Sequence, residues 1–171
     1  LAGDAVFIES GVVLTATQAI TITAYFDKFE SVGTEPASIS VTTADLNAGT
    51  SIGMNATGSI NVTGSTLDAA ASSVAMTSTG GNIGLTGTTV NAETSIALTA
   101  SAATGNITLG TSTLDADKAF VTLTAGSDIS LTASNLFAGT FATLGAGRDI
   151  KLVSSTVLAV LDVTMDATRD I

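Results

Sequence analysis

The 171-residue sequence sets 15 acidic against five basic side chains, a net charge of −10, and contains neither Cys nor His. This balance excludes binding through nucleic-acid phosphates and disfavours anionic membrane surfaces. The missing residue types exclude thiol and imidazole catalysis, disulfides and nearly every zinc site. Hydrophobic residues make up 45% of the chain but aromatic ones only 4%. A core must therefore be assembled from many small aliphatic side chains, and the β-branched types among them favour strands. No run of 18 apolar residues is present, so no helical membrane span is expected.

In chain order, three short alternating segments come first: Val6/Ile8, Val13/Thr15 and Ile20/Ile22. A different stretch follows. Residues 25–38 hold the only Tyr, the only Pro and two of the six Phe. This segment reads as a loop inserted into an otherwise regular pattern. Tyr25, Phe26 and Phe29 are its candidate recognition residues, since binding residues concentrate on loops held by a rigid scaffold.

From Ile39 onward a repeat takes over. Its first apolar pair occurs at Ile39/Val41, Ile60/Val62, Ile83/Leu85, Ile107/Leu109, Ile129/Leu131 and Ile150/Leu152, at spacings of 21 to 24 residues. A second pair follows seven residues later: Leu46/Ala48, Leu67/Ala69, Val90/Ala92, Leu114/Ala116, Leu136/Ala138 and Val157/Ala159. The third comprises Ile52/Met54, Val74/Met76, Ile96/Leu98, Val121/Leu123, Ala142/Leu144 and Val163/Met165.

Each pair skips one residue, the period of a strand with one buried face. Three such strands per repeat describe a triangular coil that cannot bury its apolar face alone. Stacked coils share one core and pair their backbones about 4.8 Å apart. The expected fold is all-β: a parallel β-helix, or β-solenoid, of about seven coils with three short strands each, forming one segment over 1–171. Right-handed winding follows from the bias of parallel crossover connections.

Polar residues recur at outward positions. Before each leading Ile stand Ser59, Asn82, Asn106, Asp128, Asp149 and Asp170, at one corner of the coil. Within the second pair stand Asn47, Asp68, Asn91 and Asp115, a column whose amides could bond along the axis. Phe137 and Leu158 then replace them and make a small apolar strip.

The stretches Gly126-Ser-Asp-Ile-Ser-Leu-Thr-Ala-Ser-Asn-Leu-Phe-Ala138 and Gly147-Arg-Asp-Ile-Lys-Leu-Val-Ser-Ser-Thr-Val-Leu-Ala159 resemble filamentous-haemagglutinin repeats, found in large exoproteins of bacterial two-partner secretion. The resemblance covers Gly58–Ile171 well and the earlier residues loosely. It implies a right-handed β-helical shaft, secretion to the bacterial cell surface, and adhesion or display. The Asn-Pro-rich motifs of that family's secretion domain are missing.

The chain opens and closes near the same phase of the repeat, without a polar or helical cap. Its partners are therefore expected to be neighbouring coils, in a longer chain or in a stacked copy. The leading functional expectation is a structural or adhesive shaft of a filamentous surface protein, whose receptor or glycan partner is unspecified. The alternative is a filament or sheath subunit stacking head to tail as a homo-oligomer. No enzyme activity, cofactor or metal is expected. Carboxylates at Asp115/Asp117 or at Asp128/Asp149/Asp170 could in principle serve a polysaccharide-cleaving β-helix, but Trp is absent and Arg scarce. Outward pairs such as Thr21/Thr23 and Thr122/Thr124 are too interrupted for an ice-binding array.

Overall fold

A computed structural model describes residues 5–25 and 36–171. Among the described residues the secondary structure is entirely strand, with 21 strands in three parallel sheets of seven. Each sheet takes every third strand of the chain, so successive strands belong to successive sheets. That connectivity is a parallel β-solenoid of seven coils. A coil such as the fourth comprises Ile83–Thr86, Thr89–Ala92 and Ile96–Ala100.

Registers run through the stack without a slip. Ile60, Ile83, Ile107, Ile129 and Ile150 are Cα partners from coil to coil in the first sheet. Leu67, Val90, Leu114, Leu136 and Val157 follow one another in the second. In the third, Met54, Met76, Leu98, Leu123, Leu144 and Met165 form one column. From the second to the sixth coil these inward side chains are buried. Each buried Leu, Ile or Met stabilises the stack by about 1.5–3 kcal/mol relative to exposure. Register is fixed because a one-residue slip would turn a whole apolar set to solvent.

The first coil departs from its expected frame. The second strand is Val13–Ala16, and it pairs Leu14 with Leu46 and Ala16 with Ala48. The inward pair is thus Leu14/Ala16, not Val13/Thr15, and Val13 is exposed. The first corner of this coil is one residue longer than the others, which shifts the strand by one position.

That corner turns on a left-handed residue in every coil. Gly11 has φ 82°, Gly64 and Gly87 58°, and Thr43, Thr111, Ala133 and Ser154 fall between 47° and 50°. Just beyond it lies a column of hydroxyls. Ser65, Thr88, Ser112 and Ser134 are buried. Ser134 Oγ donates to Thr132 O at 2.9 Å and accepts from Ser112 N at 3.2 Å on the preceding coil. These bonds satisfy backbone groups that the turn leaves outside the ladder.

In the sequence, residues 25–38 fall between the last strand of the first coil, Ile20–Ala24, and the first strand of the second, Ile39–Thr42. Val6 pairs with Ile39 across this stretch, and Ala24 ends the strand before it. Tyr25 is exposed. Phe26 and Phe29 lie outside the described residues.

Candidate functional site

Two side-chain columns run along the solenoid axis, and they differ in chemistry. The first lies at the corner before the first sheet. Ser59 Oγ accepts from Asn82 N at 3.1 Å, and Asn82 Oδ1 from Asn106 N at 2.9 Å. Asn106 Oδ1 accepts from Asp128 N at 3.0 Å, and Asp128 Oδ1 from Asp149 N at 3.3 Å. Each short polar side chain therefore caps the backbone N–H of its equivalent on the next coil. These bonds run from coil to coil along the axis.

In the last two coils this corner also carries charge. Arg148 Nε donates to Asp128 Oδ1 at 2.7 Å while its Nη2 bonds Oδ2. Arg169 repeats the geometry on Asp149, with Nε 2.7 Å from Oδ1. Arg148 Nε also lies 3.8 Å from Asp149, and Arg169 Nε 3.6 Å from Asp170. The result is a ladder of alternating sign. The Arg148 hydrogen bond holds the Asp128 carboxyl below its ordinary pKa, and the Arg169 hydrogen bond does the same for Asp149. The three neighbouring carboxylates Asp128, Asp149 and Asp170, considered from the sequence for polysaccharide cleavage, are thus interleaved with guanidinium groups. Asp128 and Asp149, which would otherwise repel, each have a bidentate arginine partner, while Asp170 has only Arg169 Nε at 3.6 Å.

The second column is the outer face of the second sheet. Registers stack Thr15, Asn47, Asp68, Asn91, Asp115, Phe137 and Leu158. Among the described residues no hydrogen bond joins the Asn and Asp side chains of neighbouring coils here. Beside this column, at the following corner, run Ala70, Glu93, Asp117, Gly139 and Val160. The two rows flank clefts that share Asp115 and Asp117. One is lined by Asp68, Asn91 and Glu93, the other by Phe137, Gly139, Leu158 and Val160. Lys118 pairs with Glu93 across one coil step. Among the described residues no ion pair involves Asp68, Asp115 or Asp117.

The apolar strip extends further than the sequence indicated. Besides Phe137 and Leu158 it takes in Val160, and Phe120, Phe141 and Leu161 are also exposed, at the corner between the second and third sheets of their coils. No group of three or more Asp, Glu, His or Cys able to hold a metal ion occurs among the described residues. No helix of the described chain is long and apolar enough to cross a membrane.

These features define a β-solenoid repeat protein: stacked parallel coils, inward aliphatic columns and outward polar ladders. Comparison with protein-family models, curated proteins and solved structures finds no match to this chain.

Proposed function

We propose that this chain is a structural shaft segment of a large, filamentous bacterial surface or secreted protein, similar in kind to filamentous-haemagglutinin repeats. The observation that carries the reading is the unbroken register of three sheets through seven coils. Such a stack is a rod. It lengthens by adding coils and keeps one cross-section, which suits spacing an adhesive or effector domain away from a cell. The polar side chains of the corner before the first sheet go into the stack itself. Ser59, Asn82, Asn106 and Asp128 cap backbone groups, and Arg148 and Arg169 neutralise carboxylates. This use of polar groups favours a mechanical role over catalysis.

Immunogold labelling of intact, unpermeabilised source cells with antibodies to this chain tests the proposal. Label on the surface or on shed filaments is expected. Label found only after permeabilisation would contradict it.

A further inference from the structure

We propose that the axial groove on the outer face of the second sheet is a docking site for an extended, cationic and apolar polypeptide segment of a partner protein. This inference goes beyond the shaft reading and stands whether or not the rod is exported. The groove runs from Asp68 on the third coil to Leu158 on the seventh, roughly 19 Å at the coil spacing of a parallel sheet. Its two halves differ. The half formed by the third to fifth coils is walled by Asp68, Glu93, Asp115 and Asp117; the half formed by the sixth and seventh presents Phe137, Leu158 and Val160.

Charge complementarity selects the occupant. Lys118 pairs with Glu93 and also acts on the neighbouring Asp117, Asp68 and Asp115 have no ion-pair partner among the described residues, and the groove belongs to a chain of net charge −10. Lys or Arg side chains would gain most there, and the steering field of the chain favours their approach. The adjoining apolar half would hold aliphatic or aromatic side chains of the same segment, with Phe137 and Leu158 as anchors. A second copy of this chain is a poor occupant. Its basic residues are Lys28, Lys118, Arg148, Lys151 and Arg169; among the described residues Lys118 is paired with Glu93, and Arg148 and Arg169, neighbours across one coil step, are committed to Asp128 and Asp149. A neutral glycan would leave the carboxylates uncompensated and meet one half-buried aromatic ring in the groove.

The test uses the whole chain and a fluorescein-labelled peptide, Lys-Thr-Lys-Thr-Leu-Thr-Leu-Thr, in fluorescence anisotropy. Saturable binding that weakens with added salt is expected. A peptide of the same composition with Lys and Leu interleaved, and one with Glu in place of Lys, should each bind at least about tenfold more weakly. The Asp115→Asn/Asp117→Asn double variant and Leu158→Asn should each weaken binding about tenfold. Asn already occupies this outer column at Asn47 and Asn91, and Asp117 is exposed at the following corner, so both variants should keep the wild-type melting temperature. Asp128→Asn, at the other corner, should bind as wild type. The proposal is overturned by absence of saturable binding, by binding that neither groove variant changes, or by tighter binding of cellohexaose than of the peptide. Self-association abolished by Leu158→Asn would instead assign the groove to a second copy.

Discussion

The guanidinium of Arg148 forks onto the carboxylate of Asp128, 20 residues earlier in the chain and one coil below. Asp128 Oδ1 also accepts from Asp149 N at 3.3 Å. One carboxylate thus serves the side-chain ladder and the backbone stack together. Arg169 and Asp149 repeat the side-chain pairing one coil on.

This pairing has a pH signature. Both carboxyls are held below the ordinary value of about 3.9 for Asp. A depressed folded-state pKa contributes stability that is fully present above the unfolded value and is lost as pH falls through the folded one. Carboxyl NMR titration should therefore give midpoints for Asp128 and Asp149 below about pH 3.9. Arg148→Gln should raise that of Asp128, and an unmoved midpoint would contradict the ladder.

The buried hydroxyl column gives a second expectation. Ser134 is fully buried, and its Oγ is the acceptor for Ser112 N. Ser134→Ala leaves that N–H without a partner inside the stack. A loss of about 1–3 kcal/mol in urea unfolding is expected. The same change at exposed Ser154 removes no such bond and should cost far less.

Close approach at the corner between the third and first sheets makes a third. A Cβ added at Gly126 would stand 1.9 Å from Ala102 O on the preceding coil. Gly126→Ala should cost about 3 kcal/mol, since the backbones must part to admit the methyl group. Gly53, on an open outer face with nothing within 4 Å, is the control. Gly53→Ala should be neutral or slightly stabilising in the same thermal melts.

Thr111 supplies a fourth. It adopts φ 47° at the corner where Gly64 and Gly87 adopt 58°. A β-branched residue is strained in this region, at roughly 1–2 kcal/mol. Thr111→Gly should stabilise by about 1 kcal/mol once the added chain entropy of glycine is subtracted. A destabilised variant would show that the threonine side chain contributes more than the turn costs it.

The coils were legible because their inward residues repeat a single motif. Apolar pairs with one intervening residue, such as Ile83/Leu85 and Val90/Ala92, mark buried faces directly. The first coil misled because Val13-Leu-Thr-Ala16 alternates acceptably in either frame. The deciding signal was the Leu-x-Ala form of the second pair elsewhere, which Leu14/Ala16 matches. Polar chemistry was harder to read. Ser65, Ser112, Ser134 and Ser155 each precede the second apolar pair by two residues, yet nothing local marks a serine as buried. The Arg148–Asp128 bond joins residues a full coil apart, so it emerges only once the register is known. The doublets Arg148-Asp149 and Arg169-Asp170, 21 residues apart, were the available trace.

The most direct measurement of the central claim, a straight in-register rod, is a set of spin-label distances along one outer column. The chain has no native Cys to interfere. Thr23, Thr124 and Asp166 share a column of the third sheet, on the first, fifth and seventh coils. Nitroxides at 23 and 124 should lie about 19 Å apart and those at 23 and 166 about 29 Å, each in a narrow distribution. Broad distributions, or a second distance no longer than the first, would contradict the rod.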